Sequence, residues 1–382
     1  MLTRLLTLLP LVLVLAVPLP PLAWPLLLLP LALHLHLHLP PPLHLRGRTV
    51  LITGCDSGYG HSLALHCSSL GMRVIATCLS RYATLCYYFF IPSMKHDNLV
   101  LTRSEGCRRL EESEGVTVVM LDITSTTSRE AMVEQIAPML RQTGLDCLVN
   151  NAAVLVFGES TWQTEEMVKA QVMVNMVGPL LLTRALLPHL ARCKGRVINM
   201  ISNCTSLPLP TLAVYTGSKA GLLALSTAMR PEVARYQVTL VIVNPGDAPF
   251  TTSLTAGQGS HFSSMAANMT AEEKQLYRST FPACRNKFTS LNASPTLERI
   301  PASTNFYKVM ESAIGSKNPF MMYDNSTAIN RLVFAFIRLL PDWLSDKAKM
   351  NLTYPTMEEN DTTITSWKNK LTSIYQHVVS KW

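Results

Sequence analysis

Thr49-Val-Leu-Ile-Thr53-Gly-Cys-Asp-Ser-Gly-Tyr-Gly60 runs from a short apolar segment through a glycine-rich turn into the amphipathic stretch 61–70. Four β-prone residues that stop at a glycine read as a buried strand, and the 3.6-residue pattern that follows reads as a helix. Gly54 permits the tight turn. Gly58 and Gly60 let the backbone approach a pyrophosphate at the positive end of the helix, with Ser57 and Tyr59 in the same turn. The pattern repeats outward. Further strands are predicted at 73–78, 116–121, 146–150, 196–201 and 238–243, and helices at 127–142, 163–191 and 212–235. Short buried strands alternating with helices imply an α/β fold, a doubly wound parallel sheet with helices on both faces. Ligands then bind beyond the carboxyl ends of the strands. The interval between 78 and 116 is too long for one helix, and an insertion is read at about 82–103, with the aromatic cluster Leu85-Cys-Tyr-Tyr-Phe-Phe-Ile-Pro92.

The chain has 382 residues, 48% hydrophobic and 15% charged, which excludes a disordered chain and a disulfide miniprotein. Its net charge of +8 comes without a dense basic run. No nucleic-acid partner is expected, and mild attraction to an anionic membrane is. Nine cysteines without a CxxC pair or metal-like spacing read as mostly free thiols.

Residues 1–45 differ from the rest. Between Arg4 and Arg46 no side chain is charged, and Leu5 to Leu33 is apolar except for Thr7. That length suffices for a bilayer core, although Pro10, Pro18, Pro20, Pro21, Pro25 and Pro30 argue for a broken span. We read 1–45 as a membrane anchor, 48–300 as the catalytic domain, and 301–382 as a helical extension whose apolar stretch 331–340 is suited to a membrane interface. His34, His36, His38 and His44 alternate with leucine in low-complexity sequence, and no metal site is expected there. The basic flank at Arg46 and Arg48 favours a cytosolic main domain, whereas sequons at Asn203, Asn268, Asn292, Asn325, Asn351 and Asn360 favour a lumenal one. The side of the membrane stays open.

Ordered motifs follow the glycine turn. These are Asn150-Asn-Ala-Ala153, Asn175 in Val-Asn-Met-Val-Gly178, Ser202, Tyr215-Thr-Gly-Ser-Lys219 with the serine 13 residues ahead, and Asn244-Pro245-Gly246. Together they resemble the short-chain dehydrogenase/reductase family over about 48–255, and most resemble its membrane-associated group. That group includes retinol dehydrogenases, type 2 hydroxysteroid dehydrogenases and D-beta-hydroxybutyrate dehydrogenase. The resemblance implies a Rossmann-type fold, NAD or NADP as cofactor, and a homodimer or homotetramer. It further implies cofactor contacts from Gly54, Ser57, Gly58, Tyr59, Gly60, Asp122, Ile123, Asn150, Ala152, Tyr215, Lys219, Pro245 and Gly246. Three departures stand out: Ala153 in place of glycine, a threonine (Thr251 or Thr252) displaced after Pro-Gly, and the insertion. The sequence has no Asp or Glu between Asp56 and Asp97, and Arg81 lies where a 2′-phosphate needs a cation. That observation favours NADP. The resemblance to the oxidative group favours NAD, which we take as the expectation.

The chemistry expected is hydride transfer between a nicotinamide and an alcohol or ketone. Tyr215 is the candidate base; a phenol with a pKa near 10 needs about 4 kcal/mol of help to ionise at pH 7. Lys219, one helical turn on, supplies a cation, and Ser202 holds the substrate oxygen. The resemblance implies that Asn175 holds a water linking Lys219 to solvent. The stretch 247–300, with His261, Phe262, Met265, Met269, Tyr277 and Phe281, reads either as a lining for a lipophilic substrate such as a steroid or retinoid, or as core. An endoplasmic reticulum membrane is the expected location, with the mitochondrial membrane as alternative. A small hydroxy-acid dehydrogenase and a catalytically silent nucleotide-binding scaffold are the competing functions.

Overall fold

The computed structural model describes residues 45–79, 104–246, 253–255, 257–290 and 305–354. The anchor segment through residue 44, the region of Arg81 and the 82–103 insertion, Thr251 and Thr252, and the sequons at Asn292 and Asn360 lie outside them.

Seven parallel strands form one sheet in the order β3-β2-β1-β4-β5-β6-β7. The strands are β1 (Thr49–Ile52), β2 (Arg73–Cys78), β3 (Val116–Met120), β4 (Cys147–Asn150), β5 (Arg196–Met200), β6 (Thr239–Asn244) and β7 (Met322–Asp324). Side chains alternate between the faces because the strand period is two. Val50 and Ile52 enter one core, with helices α1 (Gly58–Ser69), α2 (Glu105–Glu111) and α10 (Phe306–Gly315). Leu51 enters the other, with α3 (Thr126–Thr143), α5 (Gly178–Arg192) and α6 (Ala213–Ala234). The predicted strands and helices stand within about three residues of their expected bounds.

Helix α4 (Glu165–Val172) continues into α5 through a π-helical turn at Met173–Val177. The combined helix is long and apolar enough to cross a membrane. Its apolarity has another use here: Val174, Leu182, Leu186 and Leu190 are buried against the sheet. Beyond the sheet's carboxyl edge, α7 (Gln258–Asn268), α8 (Ala271–Leu276) and α9 (Thr280–Ser290) gather a third cluster of Trp162, Phe262, Met265, Phe281 and Phe288. Strand β7 and helix α10 lie beyond residue 300 yet complete the sheet. Helices α11 (Ala328–Leu339) and α12 (Asp342–Thr353) follow.

Candidate active site

Strand β1 delivers the glycine turn at the point where sheet order reverses, between β1 and β4, which opens a crevice above the strand ends. Gly54 has φ +70°, and a Cβ there would stand 2.8 Å from the Ala152 Cα. The Thr53 hydroxyl accepts from the backbone N–H of Asn151 and Ala152, both at 2.9 Å, and the Asn151 amide donates to the Thr53 and Gly54 carbonyls. The two motifs thus lock each other. Gly58, at φ +58°, begins α1 with no side-chain cap from Ser57 and no acidic residue in the first turn. A glycine cradle at an uncapped helix N-terminus fits a dinucleotide diphosphate. Gly60 also has a packing role in the turn. A Cβ on it would meet the Gly54 carbonyl oxygen at 2.3 Å and Asn151 Nδ2 at 2.5 Å, so that role is close packing of helix on turn.

Ser202 follows β5, and its Oγ accepts from the Cys204 N–H at 3.4 Å. Tyr215 and Lys219 lie buried on α6, and the Ser202 and Tyr215 hydroxyls are hydrogen-bonded to each other. Burial pushes the phenol well above its ordinary range. The Cys204 thiol adds to this, and the Ser202 hydrogen bond opposes it. Lys219 is not among the groups that lower it, contrary to expectation. Its ammonium is instead anchored on the Met200 carbonyl at 2.9 Å, and burial brings its pKa down to about 8. Asn175 occupies the π turn. Its Oδ1 accepts from Val154 N–H, and its Nδ2 donates to the Val154 carbonyl and to Ser218 Oγ, at 2.9 to 3.0 Å. The side chain therefore pins the loop after β4 to α6.

Asn150 does not join this group. Its amide donates to Asn199 Oδ1 at 2.7 Å and Thr183 Oγ1 at 3.2 Å, inside the sheet–helix layer. Asn151, unmarked in the sequence reading although half of an Asn-Asn doublet, faces the glycine turn in its place. Asp122 accepts from the Thr124 N–H and hydroxyl at the end of β3. Ile123 packs where a Cβ on Gly178 would stand. The Pro245 carbonyl accepts from the Tyr59 hydroxyl at 3.5 Å and from Asn325 Nδ2 at 2.9 Å, which ties both nucleotide turns to the end of β7. Gly246, φ +81°, leaves room for the Asn325 carbonyl.

Two further features escaped sequence reasoning. Asn244 Nδ2 donates to Asn203 Oδ1, Asp324 Oδ1 and Ser326 Oγ, at 2.6 to 3.1 Å. The Ser326 hydroxyl also reaches Asn203 Oδ1, at 2.5 Å. This network sits directly behind Ser202 and buries the Asn203 sequon. Second, Leu155, Phe157, Leu209, Leu212 and Leu254 pack around Tyr215 as an apolar wall. Phe262, Met265 and Phe281 are core of the third cluster, the second of the two readings given them. His261 is also buried, and burial brings its pKa down to about 4.

The family described as short chain dehydrogenase matches residues 97–260. Retinol dehydrogenase 16 of Rattus norvegicus is 31% identical over 243 residues, 63% of this chain and 69% of that protein. Estradiol 17-beta-dehydrogenase 2 of the same species is 28% identical over 292 residues, 72% of this chain and 67% of that protein. Other relatives are matched over little more than half of their own length. Among solved structures, a short-chain dehydrogenase from Streptomyces avermitilis aligns with TM-score 0.54 at 22% identity, over 76% of this chain and 92% of that one.

Proposed function

The chain belongs to the short-chain dehydrogenase/reductase family, oxidoreductases that act on CH–OH groups with NAD(P), and on that footing we propose that it transfers a hydride between NAD(P) and a lipophilic alcohol or ketone at a membrane. The observation that carries the lipophilic reading is the apolar wall of Leu155, Phe157, Leu209, Leu212 and Leu254 beside Tyr215. A wall without charged groups favours an apolar carbon frame over a carboxylate. Steroids and retinoids are the substrate classes, in keeping with the names of the two relatives above.

Bound NAD(P) supplies the hydride acceptor or donor. The residues do the rest. Ser202 donates its hydrogen bond to the substrate oxygen, where charge develops. Tyr215 takes the hydroxyl proton in oxidation and returns it in reduction. A phenol held high by burial is a strong base once ionised and carries its proton at neutral pH, as the reductive direction requires. Lys219, fixed on Met200, stands one turn from Tyr215 to hold the cofactor ribose. Asn175 acts through position, setting α6 against the loop after β4.

Membrane contact is supported by a second set of residues, in the segment after β7. On α11 and into α12, Ile329, Leu332, Phe336, Leu339 and Trp343 are exposed, flanked by Arg331 and Arg338. An amphipathic helix with basic flanks suits an anionic interface. With the apolar segment 1–45 it supports an endoplasmic reticulum membrane location. NAD is the cofactor of choice, and Arg81→Ala tests the NADP alternative.

The test is turnover by purified protein in detergent, with NAD and NADP, against sterols, retinol and hydroxybutyrate. Oxidation of a sterol or retinol is expected, and Tyr215→Phe should lose about 100-fold or more in kcat. Absence of turnover by wild type, or equal turnover by the variant, removes the enzyme reading. Turnover of hydroxybutyrate alone removes the lipophilic one.

A further inference from the structure

Asp56, Cys78 and Cys107 are far apart in the chain but meet at one place. Asp56 leaves the glycine turn, Cys78 closes β2, and Cys107 sits in the first turn of α2. One carboxylate oxygen and the two sulfur atoms all lie within 4.8 Å of one another. The two thiols are buried and hydrogen-bonded together. The Asp56 carboxylate accepts from the Leu79 N–H at 3.0 and 3.2 Å and from the Ser104 hydroxyl at 3.1 Å. Among the described residues those partners are neutral. Three groups able to carry negative charge thus converge without a described cation between them.

Donor chemistry selects the occupant. Magnesium and calcium take oxygen ligands, whereas two thiolates with one carboxylate suit zinc. Tetrahedral zinc, with Zn–S about 2.3 Å and Zn–O about 2.0–2.2 Å, spaces its ligand atoms by about 3.5–3.8 Å. The observed upper limit of 4.8 Å admits that spacing. We propose that Asp56, Cys78 and Cys107 bind a zinc ion, with water completing the shell, as a structural clamp on the glycine turn, β2 and α2. Ser104 orients the carboxylate from outside the shell. Zinc enters as the dication, two thiols become thiolates, and their two protons leave to solvent; no redox change occurs. The clamp joins both ends of the long connection between β2 and α2.

The test uses the full chain in detergent with a phosphine reductant. Cobalt(II) titration should produce a thiolate-to-cobalt charge-transfer band at one equivalent, which zinc abolishes. The imidazoles of His34, His36 and His38 cannot give that band. Cys78→Ser, Cys107→Ser and Asp56→Asn should each weaken binding at least tenfold, and Cys193→Ser should leave it unchanged. Zinc should raise the Tm of wild type by several degrees and leave that of Cys107→Ser where it is. X-ray absorption on the zinc-loaded wild type needs no variant, and should count two sulfur ligands. A reduced wild type with no thiolate band, a zinc shell of nitrogen and oxygen alone, or undiminished binding by Cys107→Ser overturns the proposal.

Discussion

Lys219 is the residue whose environment departs furthest from what its sequence neighbours suggest. Four positions after Tyr215, it reads as the cation that acidifies the phenol. In the fold its ammonium is spent on the Met200 carbonyl, and burial brings its pKa down to about 8 from an ordinary 10.5. The consequence for stability has a definite sign. Between about pH 8 and 10.5 the unfolded chain holds a proton here that the folded one has lost, so folding is favoured increasingly as pH rises through that window. The Tm of the wild type should therefore fall relative to that of Lys219→Met as pH is lowered from 10.5 to 8. Scanning calorimetry of both proteins across that range checks it, and parallel curves would contradict it. Tyr215, His261 and Asn175 carry the same lesson: their identity is visible in sequence, their protonation and partners are not.

Turns and strand ends make up the working elements. The glycine turn holds because Gly60 lets α1 rest on the Gly54 carbonyl, and a Gly60→Ala Cβ would meet backbone rather than a flexible side chain. Overpacking of this kind costs about 1–3 kcal/mol. Gly60→Ala should unfold at lower denaturant and bind dinucleotide more weakly, read by titration of intrinsic fluorescence. The second element is the network behind Ser202. Removing Asn203 takes away the acceptor that Asn244 and Ser326 share and leaves both on Asp324 Oδ1, at about 0.5–1.5 kcal/mol per hydrogen bond lost. Asn203→Ala should lower both Tm and kcat. In wild type the Asn203 side chain is engaged and buried, so peptide mass spectrometry of protein made in a glycosylating cell should find no glycan there.

Across the molecule, the apolar stripe proposed to meet a membrane and the proposed catalytic groups lie on different elements. The site lies over the carboxyl ends of β1, β4 and β5, whereas the exposed apolar stripe lies on α11 and α12. Charge placed on the stripe should therefore uncouple the two. Leu332→Glu with Phe336→Glu should weaken binding to anionic vesicles several-fold while turnover in detergent stays within about twofold, since surface changes away from the core cost little. Co-sedimentation with vesicles and a detergent assay on the same preparation decide the point; equal sedimentation of both proteins would place membrane contact elsewhere.

Hydrophobic period and glycine spacing by themselves located six strands along the chain and the nucleotide turn, and the resemblance of local motifs to a known family picked out Ser202, Tyr215 and Lys219, because each is a local pattern of fewer than 20 residues. Strand β7 was hidden because three residues are too few for a period, and only pairing with Ile242, Val243 and Asn244 makes them a strand. The turning of Asn150 into the layer and Asn151 toward the turn, the Asn203 network and the meeting of Asp56, Cys78 and Cys107 were decided by tertiary structure alone. Each depends on contacts between segments distant in the chain, and no local spacing records which side chains the packed sheet will bring within reach of one another.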